Sequence, residues 1–148
     1  SMVTVRHLLQ DKGSQVWSVS PKTTLLEALR LMEDKEIGAV PVIDQGKLVG
    51  IFSERDYARQ VSQTERLNLD RPIDALMTKV VYVVTLDQTI DECMTMMTEH
   101  HVRHLPVVEE AKIVGLISIG DVVREIISDR DSTIQGLENY ITGREYLH

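Results

Sequence analysis

The stretch that decides the fold is Lys112-Ile113-Val114-Gly115-Leu116-Ile117-Ser118-Ile119-Gly120-Asp121, read with its earlier twin Lys47-Leu48-Val49-Gly50-Ile51-Phe52-Ser53-Glu54-Arg55-Asp56. In each, an apolar run fits a strand buried on both faces. The glycine inside the run weakens the strand but lets another backbone or a ligand come close. Ser-x-x-Asp then opens a helix. Ser118 and Ser53 suit the N-cap, and a carboxylate three residues on suits the positive end of the helix dipole. That capping role is one reading. The other is an anion and sugar site: helix N-terminal N–H groups receive phosphate, and a fixed carboxylate accepts both hydroxyls of a ribose.

Working outward, Val40-Pro41-Val42-Ile43 reads as the preceding strand, joined to Leu48–Phe52 by a hairpin turn at Asp44-Gln45-Gly46-Lys47. Thr24-Leu25-Leu26-Glu27 is a capping box. Leu25, Ala28, Leu29 and Met32 form the apolar stripe of the helix it opens, with Gly38 as its stop. Val16-Trp17-Ser18-Val19 alternates as a short strand, and Val3 to Leu9 is an apolar lead-in. Adding 65 to each number reads the chain again without a gap from Val19 to Arg59. Thr24, Glu27, Pro41, Gly50, Ser53, Asp56 and Arg59 return as Thr89, Glu92, Pro106, Gly115, Ser118, Asp121 and Arg124. Such a repeat marks a duplicated structural unit. The unit is strand, helix, strand, strand, helix, so the expected class is α+β.

One unit of roughly 60 residues would bury only about 60% of its unfolded surface. Its sheet would have one helical cover and one bare apolar face. Two pseudo-symmetric β-α-β-β-α repeats packed sheet to sheet solve that, and they create two equivalent clefts. The expected boundaries are 3–62 for the first repeat with its lead-in, 63–72 for a linker, 73–127 for the second repeat and 128–148 for a helical tail.

The 148 residues carry a net charge of −7, which disfavours non-specific nucleic-acid binding. One Trp and one Phe give little for stacking on single strands. No apolar run has membrane-spanning length and no signal peptide is visible. The single Cys93 fits a reducing compartment and occupies the buried stripe where the first repeat has Ala28. The expected location is cytoplasmic.

The repeated order of Thr-x-x-Glu helix, Pro-Val strand, Val-Gly strand and Ser-x-x-Asp helix resembles the CBS domain, and two in tandem resemble a Bateman module. The resemblance covers roughly residues 3 to 127. It implies regulatory binding of adenosine-containing ligands (AMP, ATP, NAD or S-adenosylmethionine) between the repeats, with no catalytic cofactor. Carried onto this sequence, Asp56 and Asp121 would each hold a ribose diol beside Ser53 and Ser118. Trp17 and Ile37 would flank adenine in one cleft, Tyr82 and Val102 in the other, with Ile51 and Leu116 as apolar floors. Arg103 and His104 replace Gly38 and Ala39 of the first repeat, so the cleft of Ser118, Ile119, Gly120 and Asp121 is expected to prefer the more charged ligand. Arg55 stands where the second repeat has Gly120, and serves the other cleft.

Enzyme readings find no support in a Gly-x-Gly-x-x-Gly, Walker or Gly-x-Ser-x-Gly motif. His100 and His104 have metal-like helical spacing, but the helix is expected to end near Val102, and no metal is expected. The alternatives are a structural dimerisation module with degenerate clefts, or S-adenosylmethionine binding. Apolar helix faces, with Ile134, Leu137 and Ile141 in the tail, point to a homodimer, and the lack of an effector domain points to a separate effector protein that reads the ligand state.

Overall fold

The computed structural model describes residues 2–142. The elements are α1 (Val5–Lys12), α2 (Leu25–Lys35), β1 (Ala39–Asp44), β2 (Lys47–Ser53), α3 (Glu54–Gln63), a 3-10 turn (Ile73–Ala75), α4 (Ile90–His100), β3 (His104–Glu109), β4 (Lys112–Ser118) and α5 (Ile119–Thr142). β1 and β2 form an antiparallel hairpin, and β3 and β4 repeat it in the same register: Val42 faces Gly50, and Val107 faces Gly115. β2 and β4 pack against each other where the two repeats meet.

The local signals are realised. The Thr24 N–H donates to Glu27 Oε1 at 3.2 Å and the Glu27 N–H returns to Thr24 Oγ1 at 3.2 Å. Thr89 and Glu92 repeat this at 3.1 and 3.1 Å. α2 and α4 therefore start where the capping boxes put them.

The expected first strand is shorter than its pattern. Val16-Trp17-Ser18-Val19 contributes one parallel bridge, Val19 to Val42, and Val84 makes the matching bridge to Val107. The Val19 N–H donates to the Pro41 carbonyl at 3.0 Å, and the Ile43 N–H donates to the Val19 carbonyl at 2.8 Å. Extending this parallel ladder needs an N–H from residue 41 on one side and from residue 21 on the other. Both are proline, so neither bond exists. Pro106 blocks one side of the second repeat's bridge in the same way.

Gly38 does not end α2. The helix stops at Lys35 with Glu36 left-handed (φ 54°), and α4 stops the same way at His101 (φ 55°). Gly38 instead makes room: a Cβ there would lie 3.2 Å from Glu54 Oε1 and 3.2 Å from His104 Cε1. The strand glycines also serve close packing. A Cβ on Gly115 would come within 2.7 Å of Leu9 Cδ1, and one on Gly50 would run into the Met77 thioether.

Those two contacts show how the repeats are joined. Each lead-in packs into the other repeat's core. Val5, Leu8 and Leu9 of α1 are buried with Ile90, Cys93, Met97, Leu105, Val107 and Ile117 of the second repeat. Ile73, Leu76 and Met77 pack with Leu25, Met32, Val40 and Phe52 of the first. The backbone agrees: the Val5 N–H donates to the Gln88 carbonyl at 2.8 Å, and the Ile73 N–H to the Thr23 carbonyl at 2.8 Å. Each hairpin and its helix are thus covered by the other repeat's lead-in. Cys93 is a fully buried core residue, and burial pushes its thiol up to about 11.

α5 runs on past the second repeat into the tail as one helix. Leu137 on it is 58% exposed. The side chains of Ile134, Tyr140 and Ile141, and Gly143 with the rest of the tail, lie outside the described residues. Among the described residues, no helix is long and apolar enough to cross a membrane.

Candidate functional site

Asp56 and Asp121 are the two buried charged residues among those described, at 4% and 8% exposure. Their placement follows from the local sequence. Ser53 ends β2 and Ser118 ends β4, and each N–H donates to the carboxylate three residues on, both at 2.8 Å. The capping reading of Ser-x-x-Asp is therefore realised in both copies. The first helical N–H groups are engaged too: Glu54 donates to the Gly38 carbonyl at 3.0 Å and Ile119 to the Arg103 carbonyl at 2.8 Å. A phosphate has fewer free N–H groups here than a bare helix terminus would offer.

The rest of each carboxylate differs. Asp56 Oδ1 accepts from the Thr78 hydroxyl at 2.8 Å and from Arg59 at 3.1 Å. Thr78 comes from the segment after the 3-10 turn, and its backbone pairs with Ile51 in both directions at 2.9 Å. Asp121 Oδ2 accepts from Lys12 at 2.5 Å, and Oδ1 from Arg124 at 2.6 Å. Burial alone would push the Asp121 carboxyl up, but hydrogen bonds from Lys12 and Ser118 outweigh it and hold it below the usual carboxylate range.

A cavity of about 890 Å³ opens beside Asp56. The first repeat supplies Ile51, Ser53, Arg55 and Asp56, and the second supplies Tyr82, Val102, Arg103, His104 and Ile119. This widens the expected pairing. Arg103 and His104 line the Asp56 cavity, while His104 also pairs in register with Ser118 and feels the charges of Lys12 and Asp121. The reason is the packing of β2 against β4, which brings the start of β3 to the mouth of the opposite repeat's Ser-x-x-Asp. Arg55 lines this cavity too, and its guanidinium donates to the His101 carbonyl of the other repeat.

Beside Asp121, on the α1 side, lies a space of about 220 Å³ bordered by Leu8, Lys12, Asp121 and Arg124. Ser118 caps α5 beside it, and Gly120 faces the Arg124 side chain. Leu116 presents its carbonyl to Lys12 at 2.6 Å. Trp17 and Ile37 line neither space. Lys35 lies 4.2 Å from the Trp17 ring centroid, and Ile37 packs on the first repeat's core.

The sequence reading missed Thr78, Arg59 and Lys12 as partners of the two carboxylates. Arg59 and Arg124 recur at Asp plus three, a helical spacing that signals an ion pair. Thr78 and Lys12 carried no such local signal. His100 has metal-like spacing to His104 in the sequence. It ends α4, whereas His104 begins β3, so no helix aligns them. Instead His100 stacks on Tyr82 at the cavity wall, with ring centroids 3.8 Å apart and planes 11° from parallel. His104 is pushed down to about 4, by burial first and then by Lys12 and Arg103, against an opposing pull from Asp121. It is neutral at pH 7.

Paired antiparallel hairpins, exchanged lead-ins and two buried carboxylates at equivalent repeat positions define a tandem-repeat module. The chain belongs to the CBS-domain family, whose profile matches residues 5–63 and 73–128, and it is a CBS pair. It is 32% identical over 150 residues to the mitochondrial CBS domain-containing protein CBSX3 of Arabidopsis thaliana, covering 95% of this chain and 72% of that one. With the CBS domain-containing protein YhcV of Bacillus subtilis it shares 29% identity over 119 residues, 80% of this chain and 84% of that one. The crystal structure of the CBS-domain containing protein ATU1752 from Agrobacterium tumefaciens superposes with a TM-score of 0.80 at 38% identity, covering 83% of this chain and 98% of that one.

Proposed function

We propose that this CBS pair senses an adenosine-containing nucleotide, AMP, ATP or NAD, bound in the Asp56 cavity and bridging the repeats. One observation carries the reading: a buried carboxylate of one repeat shares an 890 Å³ cavity with an apolar wall and an arginine of the other. Asp56 would take the ribose diol in place of the Arg59 guanidinium, whose side chain is 53% exposed. Ile51, Val102 and Tyr82 offer the base an apolar slot, and Arg103 faces the phosphate side. A related fold, the CBS pair of protein MJ0100, was solved with 5′-methylthioadenosine and S-adenosylmethionine. In this chain Arg55 and Arg103 favour phosphate over a cationic sulfonium.

Calorimetry with AMP, ATP, NAD, adenosine and S-adenosylmethionine tests the reading. Losing two charge-assisted hydrogen bonds, each about 1.5–3 kcal/mol, should make Asp56→Asn bind AMP about a hundredfold more weakly or worse. Arg103→Ala should weaken AMP about tenfold and leave adenosine nearly unchanged. Equal loss for both ligands would mean that Arg103 acts through the fold.

The signal would pass by population shift: a ligand that holds the repeats in one orientation favours that state, and an effector protein reads it. Val123, Ile127 and Leu137 lie on one side of α5 at 39%, 53% and 58% exposure. We assign this face to a second copy, making the working unit a homodimer. Light scattering at micromolar concentration should give twice the chain mass, and Ile127→Asp should give the single-chain mass.

A further inference from the structure

We propose that Lys12 is a built-in occupant of the Asp121 cleft and makes that cleft selective for phosphorylated adenosine ligands over the nucleoside. This rests on the nucleotide reading above and extends it to the second site.

The two repeats supply an internal control. Ile51 and Leu116 are twins, as are Asp56 and Asp121. At the first site a neutral group bridges the twin positions: Thr78 pairs its backbone with Ile51 and gives its hydroxyl to Asp56. At the second, one ammonium does both tasks. Lys12 Nζ lies 2.6 Å from the Leu116 carbonyl and 2.5 Å from Asp121 Oδ2. A cavity of about 890 Å³ opens beside Asp56, and the space between Lys12 and Asp121 measures about 220 Å³. Lys12 ends α1. It stands at the second cleft because α1 packs in the second repeat's core.

A ribose diol approaching Asp121 must displace Lys12. The carboxylate side chain is 7% exposed, whereas Lys12 keeps 37% of its side chain in solvent. Adenosine returns two neutral hydroxyls to Asp121 and leaves the ammonium without an anion. A 5′-phosphorylated ligand returns the same hydroxyls and also gives Lys12 a phosphate. The flexible four-carbon stem lets the ammonium move from one anion to the other. The cleft is therefore closed to nucleosides by an ion pair that a nucleotide can exchange. Asp11 and Glu125 border the same space. They add negative charge there, so without Lys12 a phosphate would meet net repulsion.

Amide NMR titration with adenosine and AMP reads the sites separately, Leu116 and Gly120 for this cleft, Ile51 and Tyr82 for the Asp56 cavity. In the wild type, AMP should shift both sets, and adenosine only the second. In Lys12→Met, adenosine should bind at Leu116 and Gly120 at least tenfold more tightly. AMP should lose its advantage there. Lys12→Gln, which keeps a donor for the Leu116 carbonyl but no charge, should behave likewise and serves if the methionine variant folds poorly. An unchanged AMP-to-adenosine ratio in these variants, or no shift at Leu116 and Gly120 with either ligand, overturns the proposal. Absence of shifts at Ile51 and Tyr82 would instead count against the Asp56 cavity as a nucleotide site.

Discussion

Removing the first twelve residues should loosen the second repeat and spare the first. α1 buries Val5, Leu8 and Leu9, at 0%, 2% and 7% exposure, against Ile90, Leu105 and Ile117. Each such side chain contributes about 1.5–3 kcal/mol, so the three together contribute about 5–9 kcal/mol. Whole domains have about 5–15 kcal/mol. The deletion also removes the bonds from Val5 and Arg6 to the Gln88 and Leu86 carbonyls and strips the cover from Gly115. Hydrogen exchange should show protection collapsing in α4 and β4, while α2 and β1 keep theirs longer. Leu8→Ala is the milder form, with an expected cost of about 2–5 kcal/mol and the same regional pattern. Protection lost first from α2 and β1 would show that α1 belongs to its own repeat's core.

Acid should weaken the fold over the window from about pH 6.5 to 4, and His104 should account for much of it. In the unfolded chain this imidazole takes a proton near pH 6.5. In the fold it is pushed down to about 4 by burial, with Lys12 and Arg103 adding to the effect and Asp121 opposing it. Glu54 stands across Gly38. Between those values the unfolded chain holds a proton that the folded chain does not, so stability falls as pH falls. Below pH 4 this group adds no further slope. At about 1.4 kcal/mol per pH unit the window is worth about 3 kcal/mol. Urea midpoints at pH 7, 6, 5 and 4 should show this loss in the wild type and a much flatter line in His104→Gln. Asp121, held low, loses its contribution only at more acid pH, which separates the two groups. Parallel lines for the two proteins would show that His104 is not a buried neutral group.

Much of this protein is written in contacts of three or four residues. Thr24 with Glu27, Thr89 with Glu92, Ser53 with Asp56 and Ser118 with Asp121 are each one helical turn, so spacing alone locates them. The two hairpins follow from apolar runs around a turn, and the 65-residue offset declares the duplication. From these came the fold class, the family and the two carboxylates. What the sequence by itself did not determine were the contacts that join distant segments. Thr78 meets Asp56 across 22 residues, Arg55 meets His101 across 46, and Lys12 meets Asp121 across 109. A duplicated chain leaves open which copy of a lead-in covers which core, because both copies present the same apolar pattern. Only the packing of β2 on β4 and the exchange of the lead-ins decided it. That choice set Arg103 into the Asp56 cavity, left His104 between the two sites and brought Lys12 onto Asp121, so two carboxylates alike in sequence stand in unlike sites.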